Sequence, residues 1–144
     1  MRKHLIICLL LLNLISFGQK NEFIDKDKQS LDKVCDTFMQ TFSMGQYREA
    51  FAFFRQNSVL EDEKIDTLIA TITSQSENIF PYYGKMISSE FVMERKIKDF
   101  IAKRFYILKF DKYYLKFDFT LYKTTEGWKI TSFSYDEDLI EMLF

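Results

Sequence analysis

Tyr113-Tyr114-Leu115-Lys116-Phe117-Asp118-Phe119-Thr120-Leu121-Tyr122-Lys123 is the stretch that decides how this chain folds. Its odd positions Tyr113, Leu115, Phe117, Phe119 and Leu121 are apolar or aromatic, while Lys116, Asp118 and Thr120 between them are polar. Side chains of a strand point alternately to opposite faces, so this period of two predicts a strand with one buried and one wet face. Just upstream, Lys103 to Phe110 is β-branched and aromatic, and Asp111-Lys112 supplies a tight turn between the two strands. Downstream, Thr124-Thr125-Glu126-Gly127 reads as a second hairpin turn, with Gly127 at a position of positive φ. The last strand opens with Trp128-Lys129-Ile130 and resumes at Phe133-Ser134-Tyr135. Its apolar phase slips by one residue in between, which predicts a β-bulge near Thr131 or Ser132. Lys85 to Ile97 is read as the first strand, with a helix as the alternative. The final residues Leu139, Ile140, Met142, Leu143 and Phe144 require a surface to pack on.

Before Gly84 the apolar period is near 3.6. Leu31, Val34, Cys35, Phe38 and Phe42 form one helical stripe, with Ser30 as the expected N-cap and Gly45 as the expected stop. A short second helix places Tyr47, Ala50, Phe51 and Phe54 on one face. Ser58-Val59-Leu60-Glu61 has the spacing of a capping box, and Glu61, Asp62 and Glu63 suit the start of a third helix. Its buried stripe is expected to be Ile65, Leu68, Ile69, Ile72 and Ile79, and Pro81 should close it by Phe80. Helices and strands kept apart along the chain predict an α+β fold, three N-terminal helices packed on a curved antiparallel sheet of about four strands.

The first residues read differently. Arg2, Lys3 and His4 precede an apolar run from Leu5 to Leu12 that continues through Leu14, Ile15 and Phe17, and Ser16-Phe17-Gly18 is a small-x-small site. These are the three parts of a cleavable export signal, and the run falls short of the roughly 20 residues a spanning helix needs. The expectation is a signal peptide at 1–18, a flexible tether at 19–29 and one domain at 30–144, exported to the periplasm or secreted, with no stable membrane anchor after cleavage. Arg2 and Lys3 would take two of the 20 basic residues, leaving 18 against 21 acidic ones. His4, the only histidine, and Cys8 would leave as well, so Cys35 would have no intramolecular disulfide partner. Mixed charge of small net value offers no footprint for nucleic acid.

A helical first half followed by a sheet whose last strand opens Glu126-Gly127-Trp128-Lys129-Ile130 resembles the cone-shaped nuclear transport factor two-like superfamily, within the cystatin-like α+β group. The likeness covers about Ser30 to Tyr135 and lies nearest small exported bacterial domains that carry no assigned function. It implies a pocket between the helices and the concave sheet face. Some members of the superfamily use that pocket for isomerase or dehydratase chemistry, and many bind ligands or partners. It also implies homodimers formed through the sheet, for which Tyr106, Tyr114 and Tyr122 are the expected contacts.

Without histidine and with one cysteine, serine–histidine, cysteine–histidine and zinc arrangements cannot be assembled. Gly45, Gly84 and Gly127 stand alone, which leaves no phosphate-cradling loop. Neither a metal nor a cofactor is expected. Glu61-Asp62-Glu63 and Asp136-Glu137-Asp138 lack the alternating ligand spacing of a calcium loop. Glu90, Asp99 and Asp118 are expected as solvated charges, and Cys35 as an inert core thiol. Phe80, Tyr82 and Tyr83 gather where the third helix hands over to the sheet; core packing with the hydroxyls reaching solvent accounts for them first, and a pocket rim is their second role. Core packing accounts first for Trp128 and Phe133, and a pocket wall is their second role. The resulting expectation is a non-catalytic domain that binds a small apolar ligand or a protein partner. The alternative is an isomerase- or dehydratase-type enzyme with a buried carboxylate and a tyrosine.

Overall fold

The structure, a computed structural model, describes residues 26–144. The expected signal peptide and residues 19–25 of the expected tether lie outside the described residues. In chain order the elements are α1 (Lys26–Ser43), α2 (Tyr47–Gln56), α3 (Asp62–Asn78), α4 (Phe80–Tyr83), β1 (Met86–Ile97), β2 (Ile101–Phe110), β3 (Tyr114–Thr124), β4 (Gly127–Asp136) and α5 (Ile140–Leu143). The strands form one open antiparallel sheet in the order β1-β2-β3-β4. The fold is α+β, and Lys85 to Ile97 resolves to a strand. Among the described residues no helix is long and apolar enough to cross a membrane.

The helix boundaries correct several expectations. α1 is helical from Lys26, the first described residue, so the last four residues of the expected tether are helical and Ser30 is not its cap. Lys26-Asp27-Lys28-Gln29 carries good helix formers, and Asp27 sits in the first turn, where the helix dipole favours it and Lys123 bonds it. At the other end Gly45 has φ +76°, its N–H donates to the Phe42 carbonyl at 2.9 Å, and Gln46 N–H reaches the Thr41 carbonyl at 3.3 Å. That pair of bonds is a Schellman stop, which only a residue at ease with positive φ can make cheaply. The capping box at Ser58 does not form, because α3 starts four residues later, after Glu61. Ser58 Oγ instead accepts from Leu60 N–H at 3.0 Å and donates to the Ile130 carbonyl at 3.1 Å. α3 ends at Asn78, and Pro81 begins α4 rather than closing α3, a place where its missing N–H leaves no helical bond unmade. Of the expected α3 stripe Ile65 and Ile72 are fully buried, Leu68 and Ile69 are partly so, and Ile79 is exposed.

The helices cover one face of the sheet. Across the central pair, Leu108 opposes Leu115, Tyr106 opposes Phe117, Arg104 opposes Phe119 and Ala102 opposes Leu121, all buried. Phe38 of α1 is the hub of the interior, with ring centroids 5.2 Å from Phe51, 5.4 Å from Phe133, 5.5 Å from Phe119 and 5.6 Å from both Phe42 and Phe54. Most of these rings meet edge to face or tilted, the arrangement their quadrupoles favour. The register between β3 and β4 slips between Thr120 and Leu121, with Thr131 the extra residue, so the expected bulge is present. Cys35 lies fully buried in this core, where loss of solvation pushes its thiol pKa well up against the opposing field of Arg104.

The opposite face is not wet where β3 alternation predicts water. Lys116 and Asp118 are buried, beside Phe105 of β2, which is also buried and directly opposes Asp118. Both charges are compensated. Lys116 Nζ lies 3.0 Å from Asp136, Ser134 Oγ donates to Asp118 at 2.6 Å, and Lys103 stands 3.7 Å from Asp118. α5 folds back over this face through a 2.6 Å bond from Lys103 to Glu141. Leu139 and Met142 are half-buried there, whereas Ile140, Leu143 and Phe144 remain exposed. Tyr106 is buried on the helix-covered face and bonded to Asp36, so it is no contact for pairing through the outer face, although Tyr122 is exposed.

Candidate functional site

The interior between helices and sheet is occupied by phenylalanine rings, and the open space lies at the edges of the molecule. One opening is a groove of 680 Å³ between α3 and β4, lined by Leu60, Glu63, Lys64, Thr67, Leu68 and the Thr131–Phe133 segment, with Glu61 at its rim. Further along the same two elements lies a second groove of 440 Å³, lined by Gln75, Ile79, Phe80, Tyr83, Leu115 and the segment from Tyr135 to Asp138. Tyr135 OH donates to Gln75 Oε1 at 2.6 Å and closes the seam between the two. The seam exists because α3 rests on α2 and α4 rather than on the strand beside it.

β4 is an edge strand, and its edge bonds in one place only among the described residues. Ile130 N–H donates to the Asn57 carbonyl at 2.7 Å, and Val59 N–H donates to the Ile130 carbonyl at 3.0 Å, a parallel bridge centred on Ser58. The chain then turns away into α3. From Ser132 to Asp136 the edge has no strand neighbour among the described residues.

The five residues singled out from the sequence are not gathered in one place. Phe133 lines the larger groove, while Phe80 and Tyr83 line the smaller. Tyr82, 80% exposed, lines neither, and Trp128 is buried in the core, where its indole Nε1 has no hydrogen-bond partner among the described residues. Tyr83 OH donates to Glu137 at 3.0 Å and Tyr113 OH to the same carboxylate at 3.2 Å, and their rings stack at 4.9 Å. Burial first, and then the bond to Glu137, hold the Tyr83 phenol above its ordinary pKa. The sequence shows Tyr113 as a strand position and Glu137 as part of an acidic run, and nothing along the chain joins either to Tyr83.

A second cluster lies between α1 and β1 and has no sequence signature. Arg104, 3% exposed, places its guanidinium 4.6 Å from the Phe91 ring centroid, with Nη1 2.7 Å from Asp32 and Nη2 4.0 Å from Asp36. Its Nε faces Glu94 at 3.5 Å without a hydrogen bond. Tyr106 OH donates to Asp36, and burial raises the phenol pKa strongly, so this tyrosine is a proton donor in a fixed bond rather than a base. Grooves of 350 and 440 Å³ flank the cluster and share Asp36 and Phe91. The arrangement clamps α1 to the sheet edge. Asp32, Asp36, Glu94 and Arg104 sit on three different elements, so no spacing along the chain could have linked them.

Compared with known proteins, the chain matches no family model, no curated protein and no solved structure.

Proposed function

We propose that the protein is an exported, non-catalytic interaction domain of the nuclear transport factor two-like kind that takes an extended polypeptide segment along the α3–β4 seam. One observation carries the reading. Asn57–Val59 already bonds to the outer edge of β4 as a short parallel strand, and the chain leaves just where a longer strand would continue beside Ser132 to Asp136. A segment added there gains affinity from main-chain hydrogen bonds and specificity from alternate side chains, which enter the pockets beside it. Leu60, Leu68 and Phe133 offer those side chains apolar contact. Glu61, Glu63, Asp136, Glu137 and Asp138 against the single Lys64 favour a segment that also carries basic residues.

A small apolar ligand inside the cone is the weaker form of binding, because the phenylalanine cluster around Phe38 fills that space. Isomerase or dehydratase chemistry needs a carboxylate and a tyrosine that both face the substrate. Asp36 meets Tyr106, and Glu137 meets Tyr83 and Tyr113, and in each case the phenol is bonded to the carboxylate itself.

The test is a random-peptide display selection against protein made from the full chain, with Thr67→Trp as the counter-target. Thr67 is exposed on α3 and lines the larger groove, so the indole blocks it without entering the core. Enrichment of peptides mixing apolar and basic residues, with binding lost on the variant, supports the reading. A selection that enriches nothing, or peptides that bind both proteins equally, sinks it.

A further inference from the structure

The other edge of the sheet is β1, at 12 residues its longest strand. β2 is its only strand neighbour among the described residues, and it carries Ile87, Phe91, Val92 and Ile97 open to solvent, two of them near 60% exposed. An unpaired edge of this length is a template for another strand.

A bulge determines which strand fits. The ladder with β2 slips between Phe91 and Met93, leaving Val92 as the extra residue. Ahead of the slip, Ser89 and Phe91 oppose Leu108 and Tyr106 on the helix-covered face; beyond it, Glu94 and Lys96 oppose Arg104 and Ala102 on that same face. Odd and even residues therefore exchange faces at Val92. In an antiparallel pair of identical strands about a two-fold axis, residues opposite each other point to the same face. For β1 that condition is met when residues before the slip oppose residues after it and the axis passes between two residues.

With the axis between Val92 and Met93, Glu90 opposes Arg95 of the second copy, and the symmetry makes the pair twice. Ser89 then faces Lys96, Phe91 faces Glu94 and Ser88 faces Ile97. Moving the axis one residue either way sets Glu90 opposite Met93 or Ile97 and Arg95 opposite Ser88 or Val92, and the charge match is lost. Ser88 Oγ donates to Glu90 at 2.9 Å, and neither Glu90 nor Arg95 has an ion-pair partner within 4.0 Å among the described residues. Opposite charges directly across a strand pair stabilise it, and like charges oppose it.

We infer that β1 pairs with β1 of a second copy of this chain in the Glu90–Arg95 register, joining two four-stranded sheets into one. The pairing uses the edge opposite the proposed α3–β4 groove and stands apart from that reading.

Sedimentation equilibrium on protein made from the full chain provides the test, with Glu90→Arg, Arg95→Glu and the double variant beside it. The expected result is a mass rising from one chain toward two with concentration. Each single reversal should weaken association by at least about tenfold, and the double reversal should bring it back to within about threefold of the original. Circular dichroism on each variant separates lost pairing from lost folding. A mass of one chain at every concentration overturns the inference whatever the variants do, as does association indifferent to the reversals or not restored by the double variant.

Discussion

Arg104 enters the interior where α1 passes over β1 and β2, its guanidinium against Phe91 and its charge answered by Asp32, Asp36 and Glu94 from two different elements. Lone burial of a guanidinium would cost several kcal/mol, so its neighbours are what allow it to sit there. Removing it reverses the problem, because Glu94 and Asp32 are then left partly desolvated without their cation. Arg104→Ala should destabilise the fold by about 2–3 kcal/mol, less than for a fully enclosed pair because the carboxylates keep some water. Urea denaturation of the variant beside the original protein measures this, and a change below about 0.5 kcal/mol would show the cluster to be surface decoration. Lys116 and Asp118 obey the same rule on the opposite face. Each is buried only because Asp136, Ser134 and Lys103 stand within reach.

Among the elements, α5 is attached through a titrating group whose pKa is displaced. Its Glu141 is bonded by Lys103, and that bond lowers the carboxyl pKa below its usual value, with Lys116 and Arg95 adding to the effect. A depressed pKa contributes stability above the unfolded value, about 4.3 for a glutamate, and the contribution disappears as pH falls through the lowered folded value. Acidification through that range should therefore loosen α5 before the sheet unfolds. Amide hydrogen exchange of 140–143 should quicken ahead of β2 and β3, and Glu141→Gln should reproduce the faster exchange at neutral pH. Equal exchange of α5 in the variant and the original protein would count against the latch. α3 behaves differently. Its start is delayed from Ser58 to Glu61 because the intervening residues bond to β4, and that diversion is also what opens the larger groove.

At the scale of the whole molecule, rings from α1, α2, β3 and β4 meet around Phe38 and leave the middle solid. Phe38→Ala should cost about 3–5 kcal/mol and open a dry cavity, since the surrounding rings cannot all collapse into the space. Thermal melts with and without benzene check both points. Benzene should raise the midpoint of the variant and leave that of the original protein unchanged. A rise in both would mean that the original interior already holds usable space.

The alternation from Tyr113 to Lys123, the slip before Phe133 and the helical stripe through Phe38 were enough to specify an α+β chain with helices over a four-stranded sheet. Periodicity is a local property, and burying one face of each element is a demand that each segment states for itself. The grooves, the Arg104 cluster and the cover over Lys116 and Asp118 were not legible in that way. They depend on how far α3 stands from β4, on three carboxylates meeting one guanidinium, and on a C-terminal turn folding back. Those are distances between segments remote along the chain, and packing alone sets them.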